Sequence, residues 1–524
     1  VRVKKNIIDK AIEAVSPSWG MRRAENRMRI ALASNLYRGA STDRLRSDWP
    51  VLLTKDNTPQ SFELDRLRVR SRDLNRNDPV AAGAMDTMCI NIVGRGLIPQ
   101  SQIRAEVLGA TKEQARQWQK TAERVWALWT PAADSANRLT FNEVQFLALR
   151  KIIEDGEILA LPVWVKEPWR QMGRAIELIE ADRLGGNYSK EKPTYGMGIE
   201  VGEQRGEPQR YWIKKANYQN IYTDKTEYTG IPARDADGRP MVLHVFPQRR
   251  PGQLRGVPFF APVLNYFKDL SDYLEAEVVA ARVAACLAVF ITKTDPVAAA
   301  YGNQTGTESS TNSRLQNIEP GLVHYLGIGE GINIVDPKRP GETFDAFLSG
   351  VLRLIGNALG MPYEIFFKDF SKTNYSSARA ALLEGRRSFL NWRGWFAEKF
   401  CQPVYELVLE EAYLRGLFDV PDFYANRAEY CRCQWVGGGW GWVDPTKEVE
   451  ASKMAIDYGL STMAEEAAGQ GRDWEELLEQ RAREQEKVRE LGVDIASPGG
   501  TTKKEAKNDE QDTEAEERQR AGAA

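Results

Sequence analysis

The chain has 524 residues, of which 42 % are hydrophobic and 27 % charged, and its formal net charge is −2. That length exceeds one ordinary core, so two to four structural regions are expected along one polypeptide path, and the apolar content excludes a wholly disordered chain. Near neutrality also excludes the global basic excess that drives non-specific nucleic-acid binding through counterion release, so any contact with DNA must be local or weak.

The first hundred residues mix helical patches with basic loops. A helix is expected to stop at Asn77-Asp78-Pro79, and another to end at Gly94 and Gly96. Arg66, Arg68, Arg70, Arg72 and Arg76 make the most basic local patch, read as a solvated helix face. Thr111 and Gln114 form a capping box ahead of a helix carrying Ala115, Trp118, Ala122, Val125, Trp126 and Trp129, whose tryptophans are core or subunit contacts. Thr140 and Glu143 form a second box, on a helix ending near Gly156 and leading into the strand-like ILALPVWV. From about 157 to 250 the pattern is shorter and β-like: IELIE (176–180), RYWIK (210–214) and MVLHVF (241–246).

The breaker-laden loop 249–258 then delivers the chain into a long helix starting near Phe259, with Val263, Phe267, Leu270, Leu274, Val278 and Ala281 on one stripe. Asp269, Asp272 and Glu275 form an acidic row away from that stripe. Residues 296–314 are small and polar with no period and read as a mobile loop, and GLVHYLGIGEGINIV as two short strands. A helix from Phe344 stops at Gly360-Met361-Pro362, and YEIFFKDFSKTNYSS follows as a non-periodic loop. From about Ser377 to Gly416 a long helix carries Leu382, Phe389, Trp392, Trp395, Phe396, Phe400 and Val404, with Pro403 expected to kink it. Small helices follow, one capped by Thr462 and one by Asp473. Residues 497–524 read as a disordered tail.

The five cysteines, Cys89, Cys286, Cys401, Cys431 and Cys433, are scattered and odd in number, which fits a reduced assembly rather than a disulfide scaffold. Cys431 and Cys433 lack a second Cys or His pair, and strand alternation explains them equally well, so neither a metal nor a cofactor is expected. The most apolar stretch, 278–291, is interrupted by Arg282 and falls short of the ~20 residues a bilayer span needs. The first fifteen or so residues lack the apolar run and cleavage site of a secretory signal. An enzyme is disfavoured: there is no phosphate-binding G-x-x-x-x-G-K-[ST] loop. His244 and His324, each in an apolar strand-like run, read as satisfied core or interface residues, and Glu154-Asp155 as surface charge.

Several phrases converge on one family. SRDLNRNDPVAAGAMDTMCINIVGRGLIPQ (71–100), EDGEILA (154–160), IEADRL (179–184), HVFPQRRPGQLRGVPFFAPVL (244–264) and LGMPYEIFFKDFSKTNYSSARAALLEGRRSF (359–389) resemble the portal proteins of lambda-type tailed phages, a likeness covering most of 60–440. The ends of the chain resemble nothing distinctive, and the amino terminus is shorter than the family's.

The resemblance implies an α+β, predominantly helical portal fold. Its parts would be a wing (1–258, N-terminal helices and β-rich lobe), first stem helix (259–292), clip (293–342), second stem helix (343–360), tunnel loop (361–377), long wing helix and wing return (378–440), crown helices (441–495) and a disordered tail (496–524). It further implies a homo-dodecameric ring in the virion, at the capsid vertex, assembled in the host cytoplasm without a membrane. The ring's channel would serve double-stranded DNA packaging, retention and ejection. Its partners would be the terminase large subunit, head-tail adaptor proteins, and capsid and scaffolding proteins. A head-tail adaptor or capsid subunit is the alternative, disfavoured by size and by the stem-clip-stem order.

Sliding DNA demands weak contact without base reading. A ring repeating Asp269, Asp272 and Glu275 would repel the DNA backbone if these acids face the lumen; the alternative is that they form intersubunit pairs. In the tunnel loop Lys368, Lys372, Asn374 and Tyr375 could touch phosphate or sugar. Alternatively Asn374, Tyr375 and Arg379 brace the loop against the next helix, leaving Lys368 and Lys372 as the better DNA candidates.

Overall fold

The computed structural model describes residue 19 and residues 58–185, 195–215, 227–285, 289–293, 330–334, 344–441 and 443–491. The chain divides into units 1–59 and 60–524, and nearly all described residues belong to the second. Among them helices dominate, and four small antiparallel sheets complete an α+β architecture.

Helices α1 (Thr58–Asn77) and α2 (Pro79–Ile92) meet at Asp78, whose carboxylate accepts from the amides of Val80 and Ala81 at 2.9 and 2.7 Å. Pro79 sits at the first position of α2, where its missing N–H loses no helical bond. After α2 comes β1 (Ile98–Ser101). Both capping boxes form, Thr111 with Gln114 opening α3 (Lys112–Trp129) and Thr140 with Glu143 opening α4 (Phe141–Asp155). Helix α4 ends on Gly156 at φ +91°. Only glycine fits there, because the loop toward the next long helix runs against it: a Cβ on Gly156 would stand 2.3 Å from the Val257 carbonyl carbon, and one on Gly256 2.0 Å from the Gly156 oxygen.

Strand β2 (Ile158–Trp164) pairs with β3 (Arg174–Ile179) and with β8 (Leu243–Val245), while β4 (Tyr195–Gly196), β5 (Ile199–Val201), β6 (Pro208–Lys214) and β7 (Tyr228–Pro232) form a separate meander. Side chains alternate along a strand. Ile158 and Ala160 therefore join the main core with α2, α3 and α4, whereas Leu159 and Leu161 join a second core with Ile179, Leu184, Ile199, Tyr211, Ile213 and Val242. One strand thus ties the helical body to the β lobe.

The helix expected from about 259 begins later. Pro262 suits the first turn of a helix but not its interior, and a 3₁₀ turn Ala261–Val263 precedes α5 (Leu264–Ala285). Nor is its expected end helical: β9 (Val289–Lys293), rich in β-branched residues, pairs with β10 (Glu330–Ile334). On α5 the apolar stripe is buried at Phe267 and Leu270 but surfaces at Val278, which is 50 % exposed. Helix α6 (Phe344–Ala358) stops before Gly360 at φ +67°.

The expected loop is shorter than the sequence suggests, since its start folds into the single turn α7 (Tyr363–Phe366) and its end belongs to α8 (Tyr375–Phe396). Helix α8 passes through a π turn (Ala397–Cys401) into α9 (Gln402–Leu414). The disturbance sits just before Pro403, which cannot donate to the helical ladder. Beyond the short α10 (Arg427–Tyr430), β11 (Cys433–Val436) pairs with β1, Ser101 opposite Cys433. Helices α11 (Pro445–Asp457), α12 (Met463–Gly469) and α13 (Trp474–Leu491) follow, with caps at Asp444, Thr462 and Asp473. The expected loop 296–314, the first of the two strands in 321–335 and the tail lie outside the described residues.

Candidate functional site

The acidic row sits where helical spacing puts it. Asp269, Asp272 and Glu275 are exposed on α5. Asp272 is not free, because Lys268 donates to it at 2.7 Å one turn away and is itself raised in pKa by that hydrogen bond. Beside the row, Tyr273 packs on α6 against the rings of Phe344 and Phe347 at 5.8 and 5.1 Å, while Phe267 and Leu270 are buried on the other side of α5.

The loop after α7 is ordered by its own polar groups. The Asp369 carboxylate accepts from the Ser371 amide at 2.9 Å and the Tyr363 hydroxyl at 3.2 Å, and the hydrogen bonds from Ser371 hold it below the usual carboxylate range. Lys368 is exposed at φ +59°, a left-handed conformation uncommon outside glycine. Lys372 reaches back to Asp345 on the first turn of α6, both side chains exposed. Asn374 caps α8, its side-chain oxygen accepting from the Ser377 amide at 2.8 Å. The Tyr375 hydroxyl donates to Asp444 at 3.3 Å, and Lys447 lies 5.9 Å from its ring centre. Gly385 lets α7 cross α8 closely, since a Cβ there would stand 2.2 Å from Ile365 Cδ1.

Two readings of charge need correction. Glu154-Asp155 is not surface charge: Glu154 is 6 % and Asp155 0 % exposed. The arginine patch is not one solvated face either. Arg66, Arg70 and Arg76 are exposed, but Arg68 lies with Leu64 and Ser71 on the buried side of α1, and Arg72 is partly covered. The last carbonyls of a helix have no partner within it. Here α1 supplies them, Ser71 Oγ donating to the Glu154 carbonyl at 2.6 Å and Arg68 Nε to that of Asp155 at 3.1 Å. Arg72 forks onto the Asp155 carboxylate at 2.7 and 2.8 Å and also bonds Asp182. Those hydrogen bonds, that to Asp155 foremost, raise its pKa further.

The centre of this network is Glu157, fully buried just before β2. Its carboxylate accepts from Arg68 at 2.7 Å, from Arg255 at 2.7 Å and from the Gly256 amide at 2.6 Å, and lies 3.0 Å from His244 Nε2. Burial by itself would raise this carboxyl, but the charges of Arg255, His244 and Arg68 and the His244 hydrogen bond override it and hold the group well below the ordinary range. Arg255 spends its other N–H groups on the carbonyls of Ala181, Leu184 and Met197. Glu157 therefore joins α1, the β lobe and the loop that launches α5. The signal available in the sequence was the period of α1, in which positions 64, 68 and 71 share a face.

His244 is buried and satisfied by Glu157, while His324 and Cys286 lie outside the described residues. Cys431 is buried, and Cys433 Sγ donates to Gln402 Oε1 at 3.2 Å. Among the described residues no cluster of three or more His, Cys, Asp or Glu side chains is arranged to hold a metal, and no helix is long and apolar enough to cross a membrane.

Comparison with known proteins gives this geometry its context. The sequence profile of the family described as phage portal protein, lambda family, matches residues 42–393. Portal protein B of Escherichia phage lambda is 25 % identical over 454 residues, covering 82 % of this chain and 85 % of that protein. The portal protein of Escherichia phage N15 is 24 % identical with the same coverage. The probable portal protein of Halomonas phage phiHAP-1 is 23 % identical over 87 % of each chain. Among solved structures, a chain in the neck of the empty gene transfer agent particle computed with C6 symmetry superposes with TM-score 0.38 at 13 % identity, over 82 % of this chain and 98 % of that one. A chain in the neck of the native particle computed with C12 symmetry gives 0.35 at 12 %, over 74 % and 96 %. Superposition at that level carries no argument about fold or assembly. The family match spans well over half the sequence, and the chain belongs to the lambda family of phage portal proteins.

Proposed function

We propose that twelve copies of this portal subunit form a ring at the capsid vertex, through whose channel double-stranded DNA is packaged, retained and ejected. Portal proteins are structural, so no catalytic step is assigned to any residue. In this reading the wing comprises 1–258 and 378–440. The stem is α5 with α6, the clip 293–342, the tunnel loop 361–377, and the crown 441–495. The clip would meet the terminase large subunit and later the head-tail adaptors, and the outer surface the capsid and scaffolding proteins.

The observation that carries the reading, in a chain of this family, is the exposed acidic row on a helix whose other side is packed. Helix α5 exposes Asp269, Asp272 and Glu275 against Lys268 and Arg282, three acids to two bases, while its fourth acid, Glu277, is buried. Repeated around a lumen, that charge keeps phosphates off the wall, whereas a basic wall would grip DNA through many counterion-releasing contacts. Lys368 and Lys372 would supply the few light contacts that hold the duplex when packaging ends. The Lys372–Asp345 pair is exposed, so water and salt weaken it, and a phosphate can take the place of the aspartate.

Negative-stain imaging of the purified chain tests the assembly: rings with a duplex-wide hole are expected, and a monodisperse monomer would overturn the reading. Replacing Lys368 and Lys372 together by Ala should leave rings intact and lower DNA retention. Unchanged retention removes these lysines from the channel.

A further inference from the structure

Helix α13 is the longest of the three helices at the end of the described chain and, like α11, it is lightly held to the rest of the molecule. None of its residues is buried. Between it and the wall formed by β1 and α3 lies an open groove of about 950 Å³, floored by Ile98, Pro99 and Trp126. Two polar ties cross this gap: Gln100 Nε2 donates to Asp473 at 2.5 Å, and Lys120 pairs with Glu479 at 2.9 Å. The turn before the helix, by contrast, is fixed. Gly471, at φ +74°, lies so close to residues 437–439 that a Cβ would stand 2.6 Å from the Gly439 amide nitrogen, and one on Gly439 2.5 Å from the Gln470 carbonyl carbon. A clamped turn followed by a lightly tied helix over an open groove is the geometry of an arm on a hinge.

At the back of the groove Glu123 of α3 accepts from the Ser101 amide at 2.8 Å. Asp473, Glu475 and Glu476 line the same cleft as Glu123. Glu479 and Arg483 line the groove from the arm, and Arg472 from the turn. Lys120 and Arg124 of α3, with Arg104 and Arg432, line an adjoining cleft that shares Glu123, Asp473, Glu476 and Glu479 with the groove. Of these bases, Lys120 is engaged by Glu479 and Arg104 by Glu429. Tyr405 packs on Trp126 with ring centres 5.5 Å apart, and Cys433 stands opposite Ser101 in the sheet.

We infer that α13 is a pH-dependent arm, laid against α3 and β1 when Glu123 is protonated and lifted from them when it is charged. A charged Glu123 brings a fourth carboxylate against Asp473, Glu475 and Glu476 in a partly desolvated seam, and like charges at short range repel. Burial, with the three facing acids adding to it and the Ser101 amide opposing, pushes the Glu123 carboxyl up to about 7. The sign follows from proton linkage: the docked state binds the proton more tightly than the lifted one, where the carboxyl returns toward its ordinary value of about 4.3. Docking is therefore strongest in acid, weakens as pH rises through the window between those values, and stays weak above it. Lifting uncovers Leu477 and the side of Trp126 that floors the groove, beside Ile98, which is already 58 % exposed.

Hydrogen exchange of the full-length protein, read by mass spectrometry at pH 5.5 and 7.5 and corrected for intrinsic rates, tests this. Protection of peptides within Trp474–Leu491 should fall by about tenfold or more from the lower to the higher pH, while peptides within α3 hold theirs. In E123Q, arm protection should stay high at both. Should E123Q fold poorly, as judged by its melting temperature, E476Q serves instead, removing one of the facing charges that raise Glu123 and so making the fall in protection between the two pH values smaller. Equal arm protection at the two pH values in the unmodified protein, or the same fall in a well-folded E123Q, overturns the inference.

Discussion

Two regions of this molecule use charge in opposite ways. Around Glu157 a carboxylate, two guanidiniums and a histidine are sealed from water and fully engaged. Along α5 and in the loop after α7, the acidic row and the lysines stand in solvent, and their ion pairs, Lys268–Asp272 and Lys372–Asp345, are exposed on both sides. Buried, an ionic group is costly unless paired, so it dictates which elements meet. Exposed, it contributes little to folding and stays available to whatever approaches. The first arrangement builds the subunit, and the second leaves it something to work with.

The sharpest way to break this contrast is Glu157→Gln. It strands Arg68 and Arg255 in the interior, and losing one partner of a buried charge network should cost about 3–5 kcal/mol in a denaturant titration. A loss below about 1 kcal/mol would put Glu157 in the same class as the exposed acids. The same group sets an acid limit. Its carboxyl is held below the ordinary range, so its stabilisation is complete above the unfolded value of about 4.3 and is lost as pH falls from there toward the folded value. The wild type should lose stability over that interval, and Glu157→Gln should lose less.

Next comes Gly256→Ala, which leaves every charge in place but presses a methyl onto the Gly156 carbonyl. Overpacking of this kind should cost about 1–3 kcal/mol, and an unchanged melting temperature would mean that the loop is not nailed down. Asn374→Ala removes a helix cap at the edge of the exposed region and should cost about 1 kcal/mol; calorimetry resolves that. Finally, Asp269→Lys with Glu275→Lys should shift stability by no more than about 0.5 kcal/mol. In assembled rings it should tighten DNA binding and steepen the salt dependence by about 0.9 in log–log slope per phosphate newly contacted. An unaltered slope would send these acids to contacts between subunits rather than to the lumen.

Much of the fold was legible because its signals are local. Thr111 with Gln114, Thr140 with Glu143, and Asp78 before Pro79 each declare a helix start within four residues, and all three are realised. The acidic row was legible for the same reason, being a matter of spacing along one helix. What escaped depends on partners far away in the chain. Glu157 meets residues 68, 244 and 255, and nothing within several residues of it separates a hub from a surface acid. The arginines of α1 were grouped by composition when the helical period would have divided them. The turn Tyr363–Phe366 was missed because one helical turn is too short to display a period.

The π turn at Ala397–Cys401 also has a bearing on how the long helix came to be. Each residue advances an α-helix by about 100°, so one added residue re-phases everything after it. Downstream of the turn, Glu411 accepts from the amides of Gly173 and Arg174 at 2.7 and 2.8 Å, tying the hairpin of β2 and β3 to the helix. Remove one residue from the turn and that carboxylate swings a quarter-circle away from the hairpin. The bulge behaves as a vernier, setting the azimuth at which the second half of a rod meets its neighbour, and a single-codon insertion is enough to reset it.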